Sequence, residues 1–309
     1  MSDPKKLSII TVCLNLQGAI RKTCESVVQQ TWRDFEWIMV DGASTDGTLE
    51  ILAEYRDRID ILISEKDTGI YNAMNKGIRA ASGEWLLFLN GGDRLASDTV
   101  LEKVFGGGER DADVLYGNTL TEYGDKIVGN GSVQTVETIT PEFFVRETLN
   151  HQSTFARRNL FDRYGLYDES FRIAADYDKW ILFAKSGCRF EKIDLFVAAF
   201  NMDGISSSRK HRRLVRREKA TVLGRYFSRR EIAEAGKAWK KKERYLVTWE
   251  FCPIFGRTSL FSVKKSPDGL RTKYCLFGLQ LLKLRKMKQD RSKVYIFGGI
   301  PIWVTSHKE

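Results

Sequence analysis

Short apolar runs alternate with segments of helical spacing through the first 120 residues, and this alternation constrains the fold more than any other feature. Short apolar runs are typical of buried strands, and a 3.6-residue period is typical of helices that pack on them. The pattern predicts βαβ units around a mostly parallel, doubly wound α/β sheet. The predicted strands are 7–13, 35–41, 60–64, 84–90 and 112–117, and the predicted helices are 18–31, 47–56, 70–81 and 97–105.

The pattern continues, less regularly, to about residue 200. We predict a hairpin over 119–129, a strand over 151–156, a helix over 175–186 and a strand over 190–200. Because ligands of doubly wound sheets bind at the carboxyl ends of the strands, the polar residues at those ends are the first candidates for a site.

The composition is that of a folded chain. Hydrophobic residues make up 42% of the 309 residues and only 5 residues are Pro, which excludes the disordered and fibrous classes. No apolar run reaches the roughly 18 to 20 residues of a spanning helix, and the N-terminus lacks a signal-peptide core. The 5 cysteines include no C-x-x-C pair, so neither a disulfide framework nor a cysteine zinc site is indicated. We expect a cytoplasmic protein.

The charge divides the chain into two regions of opposite sign. Residues 1–204 carry 23 basic and 32 acidic side chains, a net charge of −9, whereas residues 205–309 carry 27 and 8, a net charge of +19. We therefore expect an α/β domain over 1–207 and a basic, mainly helical C-terminal region over 208–309. Within that region, 273–284 and 293–304 form a weak repeat, which we interpret as paired docking segments because two copies are too few for a solenoid.

Three interpretations of the basic region are open. Nucleic-acid binding agrees with the charge, but no nucleic-acid module accompanies it, so we expect no nucleic-acid partner. Helices with solvated charged faces are the second interpretation. The third is a segment in the interface of an anionic membrane, because aromatic and aliphatic residues stand among the Lys and Arg. We favour the membrane surface, with a homo-oligomer contact through the same apolar residues as the alternative.

Polar side chains follow four of the predicted strands. They are Asn15, Asp41, Asp67, Asn90 and Asp93. Neither G-x-G-x-x-G nor G-x-x-x-x-G-K-[ST] is present, so the phosphate cradles of dinucleotide and P-loop proteins are absent. Carboxylates in this position repel a phosphorylated ligand unless a divalent cation lies between them, and Mg²⁺ or Mn²⁺ suits oxygen ligands. Asp93, which follows two glycines, is the best candidate for a metal ligand, with helix capping as its alternative role.

Five segments carry a family resemblance in order and spacing. They are SIITVCLN, QTWRDFEWIMVDGASTDGT, SEKDTGIYNAMNKGI, GEWLLFLNGGD and HQSTFARRNLFDRYGLYDESFRIAADYDKW. Over about residues 7–207 the chain resembles glycosyltransferase family 2, and most closely the bacterial branch of colanic acid, capsule and O-antigen assembly. The resemblance implies a GT-A, Rossmann-like fold, a nucleotide-diphosphate sugar donor (a UDP-sugar foremost), a divalent metal (Mn²⁺ or Mg²⁺), and inversion at the anomeric carbon.

The resemblance also implies a donor site. Asp41 stands at the first aspartate of the family's V-D-D-G-S motif, a donor-nucleoside position, and Gly42 replaces the second aspartate. Asp67 stands where this branch contacts the nucleoside. Lys76 takes the place of a family arginine or lysine near the diphosphate. Asn15, after the first strand, completes this part of the predicted donor site.

The metal and the catalytic base follow from the same resemblance. Asp93 matches the last acid of the metal motif, whereas Asn90 and Gly92 replace its other acids. Asp176 matches the aspartate of the family's E-D motif, the general base, and Ala175 replaces its glutamate. Inversion needs such a base at the acceptor hydroxyl, opposite the leaving nucleotide.

The environment of Asp176 suggests how strong a base it is. Beside Tyr177 and Trp180 we expect partial desolvation to raise its basicity. A helix N-terminal acid without a catalytic role is the alternative interpretation, and Asp178 is the rival candidate for the base.

The remaining candidates concern the acceptor and the leaving group. His151, Gln152, Tyr177 and Trp180 are placed at the acceptor, although a lone His is more often structural. Arg209, after the GISSS turn, is placed at the donor diphosphate, where it would stabilise the leaving group. A solvated linker is the alternative for that segment.

Together these features predict an inverting, metal-dependent glycosyltransferase of bacterial surface polysaccharide assembly. The expected acceptor is a saccharide or a polyprenyl-linked saccharide at the cytoplasmic face of the inner membrane, where the protein would be peripheral. A sugar nucleotidyltransferase and a catalytically silent nucleotide-sugar-binding scaffold are the alternatives.

Overall fold

A computed structural model of the chain describes residues 5–123, 126–132, 138–202, 211–242, 246–254, 258–265, 271–276, 279–287, 291–296 and 301–305. These residues belong to two compact units, Met1–Ile232 and Ala233–Glu309. The first unit therefore extends past residue 207, where the charge pattern placed the domain boundary.

The first unit is built on a mixed sheet. Its strands are β1 (Leu7–Cys13), β2 (Phe35–Asp41), β3 (Ile61–Ser64), β4 (Trp85–Phe88), β5 (Arg94–Leu95), β6 (Val114–Tyr123), β7 (Lys126–Ser132), β8 (Thr154–Arg157) and β9 (Phe190–Asn201). Its helices are α1 (Ile20–Val28), α2 (Thr48–Ala53), α3 (Ile70–Ala80), α4 (Val100–Phe105), α5 (Asn159–Tyr164), α6 (Ala175–Lys185) and α7 (Arg212–Tyr226), and α8 (Arg229–Lys242) follows.

The strand order is β3-β2-β1-β4-β8-β6-β9-β5, and β7 pairs with β6. The β1–β2, β1–β4, β2–β3 and β6–β9 pairs are parallel, and the other pairs are antiparallel. This sheet, with its flanking helices, confirms the predicted GT-A, Rossmann-like fold class. The parallel half places the carboxyl ends of β1 to β4 at one edge.

Helices and loops cover both faces of the sheet. Ile10 and Ile38 belong to one buried cluster, and their neighbours Ile9 and Trp37 belong to a second cluster. Successive strand residues point to opposite faces, so the mainly apolar sequences of β1 and β2 follow from burial on both sides. Both strands have the predicted bounds, because a mainly apolar segment ends where polar loop residues begin.

Helix α7 packs against α6 as part of the first unit. Val222 on α7 is fully buried, and Asp178 on α6 accepts hydrogen bonds from Arg225 Nη1 and Tyr226 OH, both at 3.2 Å. These contacts explain why the compact unit does not end at residue 207.

The second unit contains most of α8 and an antiparallel sheet. Its strands are β10 (Leu246–Ile254), β11 (Thr258–Lys265), β12 (Arg271–Leu276), β13 (Leu279–Met287), β14 (Arg291–Ile296) and β15 (Pro301–Thr305), paired in chain order. The prediction of a mainly helical C-terminal region is therefore correct for α7 and α8 and wrong from Leu246 onward. Aromatic and β-branched residues with turn residues between them favour strands there, in spite of the many Lys and Arg.

The weak repeat of the C-terminal region corresponds to two successive hairpins. Tyr274 pairs with Leu282 across β12 and β13, and Val294 pairs with Ile302 across β14 and β15. The segments that we interpreted as docking segments are thus hairpins of one sheet.

Within the described part of the chain, no helix combines the length and the apolar character that crossing a bilayer requires.

Candidate active site

Four of the predicted donor residues, Asn15, Asp67, Asn90 and Asp93, lie on the loops that follow β1, β3 and β4. Asp41 itself is fully buried at the end of β2. Its carboxylate accepts hydrogen bonds from Ser44 N at 3.0 Å, from Ser44 Oγ, and from Ser64 Oγ at 2.8 Å. Asp41 therefore holds the loop after β2 and the end of β3. Because it is fully buried, its effect on a bound sugar nucleotide would be indirect, through these two segments.

Asn15 supports the same loop from the end of β1. Its backbone has a φ of 50°, a left-handed conformation that Asn tolerates better than most residues. Its side-chain oxygen accepts a hydrogen bond from Thr45 N at 2.8 Å, and its backbone N–H donates to Ser44 Oγ at 2.8 Å. The two loops thus form one hydrogen-bonded unit with an exposed Asn15.

Gly42 leaves the space that Asp67 occupies. A Cβ placed on Gly42 would collide with Asp67 Oδ2, and Leu14 Cδ1 would lie 3.4 Å from it. The family motif has an aspartate at position 42, and in this chain the carboxylate of Asp67, from the loop after β3, lies in that space. Leu14, an apolar side chain that is 50% exposed, flanks this carboxylate.

Lys76 lies on α3 and holds the loop that carries Asp67. Its ammonium group lies 2.9 Å from Glu65 Oε1 and donates to the backbone oxygen of Lys66, also at 2.9 Å. It therefore supplies positive charge beside the predicted donor site while it fixes the loop.

Asp93 is 5% exposed and lies at the turn after β4. Burial raises the pKa of its carboxyl to about 6, against the opposing charges of His151 and Lys22 and a hydrogen bond from Asn201 N at 2.8 Å. The preceding Gly92 has a φ of 94°, which a residue with a side chain rarely adopts. A carboxylate held this way is costly without a cation nearby.

A chain of side chains connects this turn with the predicted base. Asn90 Nδ2 lies 3.0 Å from His151 Nε2, and His151 Nδ1 lies 3.4 Å from Asp176 Oδ2. His151 is thus an imidazole bridge between the metal-motif loop and α6. Burial works to lower its pKa, but the hydrogen bond and charge of Asp176, with the charge of Asp93, raise that pKa above 6.5.

Asp176 lies in the first turn of α6 and is 17% exposed. Tyr71 OH at 3.0 Å and Tyr177 N at 2.8 Å both donate to its Oδ1. Burial works to raise its pKa, but these bonds and the contact with His151 bring the pKa below 3.8. The expectation that desolvation would raise its basicity is therefore wrong: the pocket stabilises the carboxylate.

The structure corrects two of the predicted acceptor contacts. Tyr177 is 3% exposed and donates its hydroxyl to the backbone oxygen of Phe144, and Trp180 is fully buried in the core. An acceptor would reach neither side chain, because both lie on the core side of α6. Gln152 is also buried, behind His151, which is 19% exposed.

Asp178, the rival candidate for the base, faces away from this site. Its carboxylate accepts from Arg225 and Tyr226 on α7, as described above, and it is 4% exposed. Asp176 is consequently the carboxylate of α6 that lies beside His151. Arg209 and the GISSS turn lie outside the described residues, so the role assigned to Arg209 stays a prediction.

Sequence reasoning missed three contributors. Tyr71 stands in the resembling segment SEKDTGIYNAMNKGI, but nothing in its spacing links it to Asp176 across more than 100 residues. Leu14 directly precedes the predicted Asn15 and lies just beyond the predicted strand 7–13, so it was not among the candidates. Glu218 on α7 contacts the chain just before α6, and no local signal in its basic helix indicates this.

The loop after β4 is suited to a divalent cation with few protein ligands. Among the described residues there is no group of three or more His, Cys, Asp or Glu that could hold a metal. Asn90 Oδ1 is buried and has no hydrogen-bond partner, and Asp93 adds a carboxylate from the same loop. Two oxygen donors fit a hard cation that takes its remaining ligands from a diphosphate and water.

Comparisons with known proteins agree with this architecture. The family model described as Glycosyl transferase family 2 matches residues 8–167. A PGL/p-HBAD biosynthesis glycosyltransferase of Mycobacterium tuberculosis is 35% identical over 176 residues, which cover 55% of this chain and 66% of that protein. The chain thus spans just under two thirds of the length of this relative.

Two solved structures share the fold. TarS 1–349 of S. aureus in complex with UDP has a TM-score of 0.54 at 23% identity, over 63% of this chain and 60% of its own. The mannosyltransferase PcManGT from Pyrobaculum calidifontis, in complex with GDP-Man and Mn²⁺, has a TM-score of 0.52 at 18% identity, over 64% and 57%. At these identities the structures support the fold alone. Because the family model covers more than half of the sequence and the sheet has the fold its motifs imply, the chain belongs to glycosyltransferase family 2.

Proposed function

We propose that the protein is an inverting glycosyltransferase that moves a sugar from a nucleotide-diphosphate sugar to a hydroxyl of a saccharide or a lipid-linked saccharide. One observation carries the proposal: the chain Asn90–His151–Asp176 connects the loop of Asp93 with an ionised carboxylate at the same edge of the sheet. Inversion by direct displacement needs a base on one side of the anomeric carbon and a stabilised leaving group on the other.

Asp176 would accept the proton of the acceptor hydroxyl. As the hydroxyl oxygen forms its bond to the anomeric carbon, the bond from that carbon to the diphosphate oxygen breaks, and the nucleoside diphosphate leaves with the electron pair. His151 and Tyr71 hold the carboxylate in place for this step. No covalent enzyme intermediate is required.

Asp93, assisted by Asn90 Oδ1, would hold the divalent cation, Mn²⁺ or Mg²⁺. When bound, such a cation neutralises charge on the diphosphate and so favours its departure. The raised pKa of Asp93 agrees with this role, because a buried carboxylate gains from a nearby cation. The Mn²⁺ named with the mannosyltransferase PcManGT supports the same assignment.

The donor nucleoside would lie against Leu14 and Asp67, on the loops that Asp41 and Asn15 hold together. Asp67 offers a carboxylate to base or ribose donors, and Leu14 offers an apolar surface to the flat base. Lys76 adds positive charge nearby, and Arg209 would add more at the diphosphate. A UDP-sugar is the foremost candidate, in line with the UDP of the TarS complex. On the acceptor side, His151 is partly exposed and Gln152 is buried.

The second unit would bring the enzyme to an anionic membrane surface at the cytoplasmic face. The register places Lys264, Lys273 and Lys283 opposite one another on three neighbouring strands. Residues 233–309, the second unit, carry 17 basic and 6 acidic side chains, and this net charge of +11 supports the same partner. A homo-oligomer contact is the competing role of this unit.

Incubation of the protein with UDP-, GDP- and dTDP-sugars, Mn²⁺ and a saccharide or polyprenyl-linked acceptor tests the proposal. We expect release of the nucleoside diphosphate with one member of the panel. Release of pyrophosphate would instead identify a sugar nucleotidyltransferase. Binding without turnover across the panel would identify a silent scaffold protein.

A further inference from the structure

Helix α6 begins without a cap of its own, and a glutamate from α7 takes that place. Ala174, at the N-cap position, offers no side-chain hydrogen bond. Glu218 accepts hydrogen bonds from the backbone amides of Arg172 at 3.0 Å, Ile173 at 2.9 Å and Ala174 at 3.1 Å. The carboxylate is 7% exposed, so it satisfies three amides of the approach to α6 from inside the protein.

This contact is made next to Asp176. The amides that Glu218 binds belong to residues 172–174, and Asp178 N closes the first turn of α6 on Ala174 O at 3.0 Å. The position of that turn decides whether Asp176 reaches Tyr71 and His151. An anion at the N-terminus of a helix also stabilises that terminus.

Helix α7 has other contacts that attach it to the first unit. Arg225 Nη1 lies 2.9 Å from Asp168 Oδ2 and 3.2 Å from Asp178 Oδ1, and its guanidinium lies 4.5 Å from the ring centre of Phe171. Val222 is fully buried. Arg225 and Val222 thus attach α7 to the first unit, whereas Glu218 fixes the segment that precedes α6. Substitutions can test the two roles separately.

We propose that Glu218 is a positioning residue for Asp176. It fixes the backbone from which the base projects, so that α7, which lies beyond the region matched by the family model, determines the geometry of the catalytic carboxylate. The inference rests on the proposed function, because it takes Asp176 as the base.

Glu218→Gln is the main test. The amide keeps the size of the side chain but replaces one acceptor oxygen by a donor that faces a backbone N–H. We expect kcat for sugar transfer to fall about 10- to 100-fold, since a displacement of about 1 Å of a reacting group costs that much. UDP affinity and donor KM should stay within about twofold, because the donor loops lie on other elements.

The pH dependence of kcat gives a readout that a purely structural role would not change. Asp176 keeps its low pKa through His151, Tyr71 and the amide of Tyr177, with Tyr167 as the other ionisable neighbour. If Glu218→Gln moves Asp176 away from these donors, the acidic limb of the kcat profile shifts to higher pH. Glu218→Asp, which keeps the charge but is one methylene shorter, should show the same two changes.

Arg225→Gln is the matched control. It removes the ion pairs of α7 to Asp168 and Asp178 but leaves the three bonds of Glu218. We expect a lower melting temperature with kcat and its pH profile retained. Equal loss of kcat in Glu218→Gln and Arg225→Gln would overturn the inference, and so would full kcat with an unshifted profile in both Glu218 variants.

Failure of the inference and failure of the proposed function give different results. If wild-type protein transfers no sugar, or if Asp176→Asn keeps full transfer, the proposed function is wrong. If wild-type protein is active and Asp176→Asn is inactive while Glu218→Gln and Glu218→Asp behave as wild type, only the positioning role is wrong.

Discussion

At the scale of single residues, the site contains two carboxyl groups, Asp176 and Asp93, whose surroundings shift their pKa values in opposite directions. Hydrogen bonds and His151 stabilise the ionised form of Asp176, whereas burial destabilises the ionised form of Asp93. A base has to be ionised before the reaction, and the cost of ionising a buried metal ligand is offset when its cation binds. The two environments therefore agree with the two proposed roles.

Asp176→Asn should lower kcat by about 10²- to 10⁴-fold, the usual contribution of a general base, while UDP affinity stays unchanged. Asp178→Asn on the same helix is the control, since its side chain contacts α7 and not the site. We expect it to lower the melting temperature and to keep transfer. Single-turnover kinetics of the two variants measure the difference, and equal losses would contradict the assignment of the base.

Gly42→Ala should weaken donor binding, because the added methyl group collides with the carboxylate of Asp67. We expect a higher donor KM and a kcat close to that of wild type. Gly18→Ala is the control, because no atom lies within 4 Å of a Cβ at that position. Titration with UDP compares them; unchanged affinity in Gly42→Ala would show that Asp67 is not part of the donor site.

Asp93→Asn should stabilise the metal-free protein at neutral pH. The carboxyl pKa is about 6 in the folded state and 3.8 ordinarily, so ionisation opposes folding. The stabilisation should be absent near pH 3.8, grow as the pH rises to about 6, and level off at about 3 kcal/mol above that. Urea unfolding at several pH values with a chelator present measures it. A stabilisation that is largest at low pH would contradict the raised pKa of the buried Asp93 carboxyl.

At the scale of secondary-structure elements, helix α7 belongs with the catalytic unit. A chain that ends at residue 207 lacks Glu218, Val222 and Phe227, all of which are buried against the first unit. We expect it to lose its cooperative thermal transition and its UDP binding, because buried apolar side chains and a buried carboxylate are removed together. A chain that ends at Ile232, the boundary of the compact unit, should keep both. Equal melting temperatures of the two shortened chains would contradict this boundary.

The elements also show what a sequence can predict. The bounds of β1 and β2 were predictable, because both strands are mainly apolar and are followed by polar loops. The contacts of Asp178 with Arg225 and of Glu218 with residues 172–174 were not, because they join segments more than 40 residues apart. The strands from Leu246 onward were missed since their many basic residues resemble a helical surface.

The candidate site was predictable to the extent that short motifs carry it. Asp67, Asp93, His151 and Asp176 lie in resembling segments, and the structure brings His151 and Asp176 into contact. The direction of the pKa shift of Asp176 was not predictable, because Tyr71 and the Tyr177 amide had to be placed beside it first. Burial of Tyr177 and Trp180 depends likewise on which side of α6 faces the core.

At the scale of the whole molecule, the acidic and basic regions are assigned to different tasks. Residues 1–204, with a net charge of −9, contain the candidate site, for which we propose a cation between its carboxylates and the diphosphate; residues 205–309, with +19, include α7 and the second unit. The basic region is therefore not one structural part, because α7 belongs to the first unit and the strands from Leu246 onward belong to the second.

Flotation with vesicles that contain anionic lipid tests the role of the second unit. We expect the full chain to float and a chain ending at Ile232 to remain below, with the difference decreasing at high salt because the attraction is electrostatic. Vesicles of neutral lipid are the control. Equal flotation of both chains would exclude the second unit as the membrane-binding part, and oligomerisation measured by light scattering would support the competing role.

The central claim is the inverting transfer of a sugar, and NMR of the reaction product tests it most directly. With an α-linked nucleotide-sugar donor, the proposed displacement at the anomeric carbon predicts a β-linked product, formed together with one equivalent of nucleoside diphosphate. An α-linked product, or release of pyrophosphate, would contradict it.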